Sequence, residues 1–274
     1  MSVKDITVII ATFKSSEKIE NCLNSISKEC QVLIIENSKD FELKKDIEAK
    51  FSNVKCIVAD SNLGYGKSNN LALKKVNTKY ALILNPDTTL HPSALENFLK
   101  AAKKIPEFAV MGPKNQIAIN KSNLPVEVNN IKGFAMFLNL SEFQKIGFFD
   151  ENFFMYFEEI DLCKRIKQTG KKIYSLPDVE IYHEGASSTE QSIKKEIELS
   201  RNWHWMWSTF YYHKKYKGFF ISLLIVFPKL SSAIIKVIIY SLTLNNEKKK
   251  IYYHRLSGLI NAIMSRKSWY RAKV

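Results

Sequence analysis

The sequence predicts an α/β fold: a mostly parallel central sheet, a mixed second half, and a C-terminal helical appendage. Three observations carry this. Strand-like and helix-like segments alternate over the first 90 residues or so, the pattern of right-handed βαβ crossovers. The run Ala81-Leu82-Ile83-Leu84 stops at Asn85-Pro86-Asp87, and continuous apolar residues closed by a turn signal read as a strand buried on both faces. Charge is also unevenly spread. Residues 201–274 hold 14 Lys and Arg against one acid, Glu247, so about +13 of the net +14 lies in the tail and about +1 in the first 200 residues.

Residues 6–13 form a first buried strand, and Ser15 or Ser16 caps a helix in which Ile19, Cys22, Leu23 and Ile26 keep helical spacing. Residues 31–38 form a second strand, followed by a charged surface helix with Phe41, Ile47 and Phe51 available for packing. A third strand, 54–60, leads through Ser61–Asn70 into a helix around Leu71–Val76, and the fourth strand follows. Pro86 ends that strand because it lacks a backbone donor and has a fixed φ. After a helix over 91–105 the rhythm changes. Residues 108–114 and 131–140 read as strands separated by a polar stretch, so the second half is mixed. The apolar cluster 148–157 precedes a helix from about Glu158 to Gln168, stopped by Gly170, and 172–188 returns as strand and loop.

Open α/β sheets bind ligands beyond the carboxyl ends of their strands. Here those ends are Ala11-Thr12, Glu36-Asn37-Ser38, Asp60–Gly66 and Asn85–Asp87. Asp87 is the central candidate for holding a divalent cation, although Asn-Pro-Asp is also ordinary β-turn chemistry. Gly64-x-Gly66 lets backbone approach a ligand and opens a helix whose N-terminus favours phosphate. It is not a dinucleotide fingerprint. Glu158, Glu159 and Asp161 follow five apolar residues that can desolvate a carboxylate and raise its pKa, as a general base near neutral pH requires. Glu158 and Asp161, three apart, share a helix face and Glu159 points elsewhere. Which of them faces a substrate stays open at this level. His183, with Asp87, can complete a hard-cation site that also takes diphosphate oxygens.

Order and spacing together resemble an inverting glycosyltransferase of family 2 with the GT-A fold, in its rhamnosyltransferase-like branch. Asn85-Pro86-Asp87 stands where that branch has N-P-D, and Glu36-Asn37-Ser38 is similar to its D-N-S. Asn62 to Asn70 resembles its N-x-G-x-x-x-x-N-N loop. Gly147 to Arg165 resembles its G-x-F-D-E-x-F-F-x-Y-x-E-D-x-D-L-C-x-R block, with Glu159 for the Asp, and His183 to Ser187 its H-x-x-x-S. The resemblance implies a catalytic domain over 1–200, with a nucleotide-sugar half (1–105), an acceptor half (106–200), and a tail over 201–274. It implies sugar transfer from a nucleoside diphosphate to an acceptor hydroxyl with Mg²⁺ or Mn²⁺. Thr12, Glu36 and Asn70 would hold base and ribose, with Asn37, Asn62, Gly64 and Asn85 lining the donor site. Asp87 and His183 would hold the metal, Glu159 would act as base with Glu158 and Asp161 behind it, and Gly133 and Tyr156 would lie on the acceptor side. By branch resemblance the first donor is dTDP-rhamnose, ahead of UDP-sugars, and the acceptor a lipid-linked precursor of a bacterial surface polysaccharide.

Four widely spaced cysteines and the lack of a C-x-x-C pair argue against a disulfide framework or structural zinc. The N-terminus reads as a first strand in a cytosolic protein, without a secretory signal. In the tail, Trp203, Trp207 and Phe210 share one helix face, as packing or as an aromatic belt. Runs 219–227 and 230–244, broken at Pro228-Lys229, read as two amphipathic or re-entrant helices in the membrane interface, ahead of an oligomer contact or a single span. Lys248–Lys250, Arg255, Arg266, Lys267 and Arg271 then face anionic lipid, at the cytoplasmic face of the plasma membrane. A nucleic-acid partner is set aside because the aromatics sit among long apolar runs. A catalytically silent scaffold and an oligomer are left open.

Overall fold

The computed structural model describes residues 1–114, 124–185 and 193–272. The chain divides into two compact units, Met1–Asp150 with Glu159–Glu190, and Glu151–Glu158 with Gln191–Val274.

The first unit is built on β1 (Ile6–Thr12), α1 (Ser16–Asn24), β2 (Gln31–Glu36), α2 (Phe41–Lys50), β3 (Val54–Val58), α3 (Tyr65–Leu73), β4 (Tyr80–Leu84), β5 (Thr88–Leu90) and α4 (Ala94–Lys104). It continues with β6 (Phe108–Pro113), β7 (Val126–Glu127), β8 (Ala135–Asn139), α5 (Phe143–Ile146), α6 (Glu158–Gln168), β9 (Lys172–Leu176) and β10 (Ile181–His183). The main sheet runs β3-β2-β1-β4-β8-β6-β9-β7. Its first four strands are parallel, whereas β8 is antiparallel to both β4 and β6. The mostly parallel sheet with a mixed second half is therefore present.

Side chains alternate across each strand. On β1, Val8 and Ile10 join one apolar cluster with α1, α2 and α4, while Ile9 joins another with α3 and α6. From β1 the chain builds outward to β2 and β3, then returns to lay β4 on the other side of β1. That reversal makes a crevice at the carboxyl ends of β1 and β4, the place where such sheets bind ligands. One boundary differs from expectation. Helix α3 starts at Tyr65, because Gly64 at φ +77 supplies the turn, so Asn69 and Asn70 lie inside the helix.

The second unit holds α7 (Lys194–Lys217), α8 (Phe219–Leu242) and α9 (Asn246–Ile263). Trp203, Trp207 and Phe210 form its core with Met206, Val226, Leu259 and Ala262, so these aromatics pack. Gly258 lets α9 approach α7 closely, since a Cβ there would lie 2.2 Å from the Trp203 carbonyl oxygen. The expected break at Pro228-Lys229 does not occur: α8 runs through Pro228 as one 24-residue helix. Proline removes one helical donor, but Val226 and Ala233, seven apart, are both buried on one stripe and anchor the helix on either side of it. By length and composition alone α8 is long and apolar enough to cross a membrane.

Candidate active site

The loops after β1, β2 and β3 are tied together by one side chain. Asn37 Nδ2 donates to the Thr12 and Ile35 carbonyls at 3.0 and 3.2 Å, and its Oδ1 accepts from Leu63 N at 3.1 Å and Ser68 Oγ at 2.8 Å. Thr12, itself buried, donates its hydroxyl to Ile35 O at 3.4 Å. Asn62 Oδ1 accepts from Gly64 N at 3.1 Å, shaping the turn into α3. The fully buried Glu36 accepts from the backbone of Ser38 and Asp40 at 2.8 and 2.9 Å, and from the Ser38 hydroxyl. Asn70 clamps the backbone of Phe149, donating to its carbonyl at 2.9 Å and accepting from its N–H at 3.0 Å. Glu36 therefore shapes its own loop and Asn70 ties α3 to the loop before α6, at two positions on which the family resemblance puts base and ribose.

Asp87 is carried by a turn that Thr88 closes, its hydroxyl donating to Asn85 O at 2.7 Å. Strand β5 then pairs antiparallel with β10, setting His183 opposite Thr88, and Glu184 N donates to Asp87 O at 3.1 Å. This short ribbon brings His183 Nε2 to 3.3 Å from Asp87 Oδ1 and 3.4 Å from Asn85 Nδ2. The Asp87 side chain is 1% exposed, and the approach of His183 does not make an aligned hydrogen bond to Oδ1. A buried carboxylate oxygen with no hydrogen bond is costly unless something completes it. The imidazole is held flat against Phe134, ring centroids 4.6 Å apart and planes 8° from parallel. A cavity of about 340 Å³ opens beside it, lined by Lys114, Lys132, Phe134, Tyr182 and His183. Its two lysines suit an anionic ligand.

Helix α6 separates its three acids. Asp161 is fully buried and accepts from Arg165 Nε at 2.8 Å, while Arg165 Nη1 donates to Ile146 O at 2.8 Å. That pair holds the loop before Phe149, with Asp161 fully engaged by Arg165 at one oxygen. Glu158 and Tyr156 fall in the helical unit, where Tyr156, at φ +69, meets Trp205 edge-on with ring centroids 5.3 Å apart. Glu159 is half-buried, and its Oε2 is inaccessible to solvent and without a hydrogen bond. Burial pushes its pKa above the ordinary carboxylate value, partly offset by the backbone N–H groups of Glu159 and Ile160. Gly133 lies beside it: a Cβ there would be 3.3 Å from the Tyr65 hydroxyl and 3.8 Å from Glu159 Cβ. Tyr65 in turn donates to Gly133 O.

Two adjacent residues thus connect both chemistries, Gly133 beside Glu159 and Phe134 against His183. Phe134 O also accepts from Asn85 N at 2.9 Å, continuing the β4–β8 ladder. Tyr65, Phe134, Lys114 and Lys132 are absent from the sequence-derived site. The pairing of β8 with β4 and β6 brings the segments that carry them together. Ser187 lies outside the described residues.

Two residues able to hold a metal meet at this crevice, and among the described residues no group of three His, Cys, Asp or Glu does so. Their donor set fits a cation that takes further ligands from a substrate: Asp87 offers an uncompleted buried oxygen and His183 a ring nitrogen.

The model of glycosyl transferase family 2 matches residues 7–163, from β1 into α6. The low-salt glycan biosynthesis hexosyltransferase Agl10 of Haloferax volcanii is 26% identical over 208 residues, 65% of this chain and 67% of its own. The N-acetylglucosaminyl-diphospho-decaprenol L-rhamnosyltransferase of Mycobacterium tuberculosis is 22% identical over 237 residues, 66% of this chain and 76% of its own. The mannosyltransferase PcManGT of Pyrobaculum calidifontis, solved with GDP-Man and Mn²⁺, shares the fold at a TM-score of 0.60, with 12% identity over 96% of this chain and 88% of its own.

Proposed function

Since the chain belongs to glycosyl transferase family 2, and is a glycosyltransferase of glycan biosynthesis, we propose that it moves L-rhamnose from dTDP-rhamnose to a hydroxyl of a lipid-linked glycan precursor, with inversion. The observation that carries this reading is the buried, uncompleted oxygen of Asp87 facing His183 at the strand-order reversal. Asp87 and His183 would hold Mg²⁺ or Mn²⁺ against the donor diphosphate, and a bound cation offsets the charge that develops on that leaving group. Lys114 and Lys132 draw the same anion into the cavity. Asn37 keeps three loops in register, and Glu36 and Asn70 shape the walls around the nucleoside. Glu159, with its raised pKa, takes the acceptor proton as the acceptor oxygen attacks the anomeric carbon. The bond from that carbon to the diphosphate breaks on the opposite face.

The enzyme works at the cytoplasmic face of the plasma membrane, where a tail of about +13 meets anionic lipid. The test is a thermal-shift screen of nucleoside diphosphates and their sugars with and without Mn²⁺, followed by transfer assays on the full chain. Stabilisation by dTDP-rhamnose with Mn²⁺, and roughly 10³-fold slower transfer by Asp87→Ala, are expected. Stabilisation by UDP-sugars alone would change the donor. Undiminished transfer by Asp87→Ala would overturn the metal assignment.

A further inference from the structure

Helix α8 is covered along one side only. Ser222, Val226 and Ala233 are buried, whereas Phe220, Leu224, Phe227, Ile234, Ile238 and Leu242 are all exposed. At 100° per residue these six fall on one stripe, which the exposed Ile221, Ile235 and Ile239 widen to a sector of about 140° ending near Pro228, and no charged residue interrupts it. The stripe runs the length of the helix, about 36 Å. A spanning helix needs an apolar surface all round, but here the other side is occupied by α7 and α9. Helix α9 carries Lys248, Lys249, Lys250 and Arg255, which would have to enter the hydrocarbon with α8. A helix clad on one side by charged neighbours lies in the bilayer plane, with its bare stripe downward.

From Pro228, at the edge of that sector, a cavity of about 330 Å³ reaches among α7, α8 and α9, with Lys229, Arg255, Tyr252 and Trp205 in its wall. Arg255 Nε is oriented by Asn202 Oδ1 at 2.6 Å, and its guanidinium lies 5.1 Å from the Tyr252 ring centroid. Lys236 Nζ donates to the Tyr252 hydroxyl at 3.1 Å, which leaves that O–H to donate elsewhere. Among the described residues no carboxylate pairs with Lys229, Lys236 or Arg255, and the unit's Glu247 is engaged by Lys195 at 2.8 Å. Cations without counter-ions, around a phenol and beside an apolar stripe, match a phosphate ester joined to acyl chains.

We propose that the Lys229–Arg255–Tyr252 cavity binds the phosphate of an anionic bilayer phospholipid whose chains lie along the exposed stripe of α8, fixing the helix in the membrane plane. Lys229 and Arg255 pair with the phosphate oxygens, Tyr252 donates to one of them, and Trp205 sits at the level of the headgroups. The apolar stripe is what favours lipid over a nucleic-acid phosphate. This deepens the membrane reading above and is independent of the transfer reaction.

The test uses the full chain with phosphatidylcholine vesicles, with and without phosphatidylglycerol. Binding to the anionic vesicles is expected, weakened roughly fivefold by Lys229→Gln and further by Lys229→Gln with Arg255→Gln. Brominated acyl chains should quench a fluorescence component that Trp205→Phe removes. Lys229 is exposed on its helix, so the single variant keeps the fold, and its melting temperature checks this. Vesicle binding that ignores both lipid charge and the variants would overturn the proposal. So would stabilisation by inorganic diphosphate, in the absence of vesicles, that Lys229→Gln with Arg255→Gln abolishes, which would assign the cavity to a soluble anion, or RNA binding without vesicle binding. Transfer to a soluble acceptor is measured separately without vesicles. Loss of vesicle binding with transfer intact sinks this inference alone, and the converse sinks the proposed reaction alone.

Discussion

Ile9 and Ile10 point to opposite faces of β1 and both are fully buried, whereas in α8 Val226 is fully buried and the next residue, Phe227, is 61% exposed. A sheet covered on both faces leaves only its strand ends for chemistry, and there the sheet unit keeps Asp87, Asn37 and Glu36 as buried polar groups. A helix covered on one side leaves a surface. The helical unit fills it with exposed apolar side chains such as Phe220, Leu224 and Phe227. One unit holds a few polar groups in place by burying them, the other leaves apolar area at its surface.

The sharpest way to break this contrast is at Glu159. Glu159→Gln should slow transfer by about 10²–10⁴-fold while leaving vesicle binding unchanged. Because burial raises its pKa, wild-type kcat/KM should fall as pH drops through a value above the usual carboxylate range, and the variant should lose that limb. Retained transfer would move the base to Glu158. Next in size is Gly258→Val. Its Cβ would meet a backbone oxygen that cannot swing aside, so calorimetry should show the helical unit destabilised by about 3 kcal/mol while nucleotide-dependent stabilisation of the sheet unit persists. An unchanged transition would mean that the close approach of α7 and α9 is not needed.

The most gradual effect is acid sensitivity. His204 is buried, its Nε2 2.9 Å from Tyr270 O and its Nδ1 3.2 Å from Ser268 Oγ, and burial lowers its pKa from 6.5 to about 3. The folded state therefore holds it neutral where the unfolded chain protonates it. Its contribution is complete above pH 6.5 and is lost as pH falls towards about 3, at up to roughly 1.4 kcal/mol per pH unit. Denaturant titrations across that range should show a slope that His204→Gln flattens.

What the sequence displays is set by how local the cause is. The first four strands are legible because each is dominated by apolar residues, and α6 starts at Glu158 as its composition suggests. The roles of Glu36, Asn70 and Asp161 are not legible. A polar residue at a strand end or on a helix gives no sign whether its hydrogen bonds go to ligand or to neighbouring backbone, and here they go to Ser38, Phe149 and Arg165. Pro228 misleads because its local cost is plain, whereas the packing of Val226 and Ala233 that offsets it comes from other helices. Phe134 escapes notice because its importance lies in the pairing of strands some 50 residues apart in the chain.

The ribbon of β5 and β10 also has a meaning in time. Asp87 and His183 are 96 positions apart, and two three-residue strands, with Phe134 behind the imidazole, set them face to face. A chain emerging from the ribosome exposes β1 to β5 first, and they can collapse early around α1 and α4. The carboxylate must then wait for its partner through β6, β8 and β9, because a contact of such long range forms only after the intervening chain is in place.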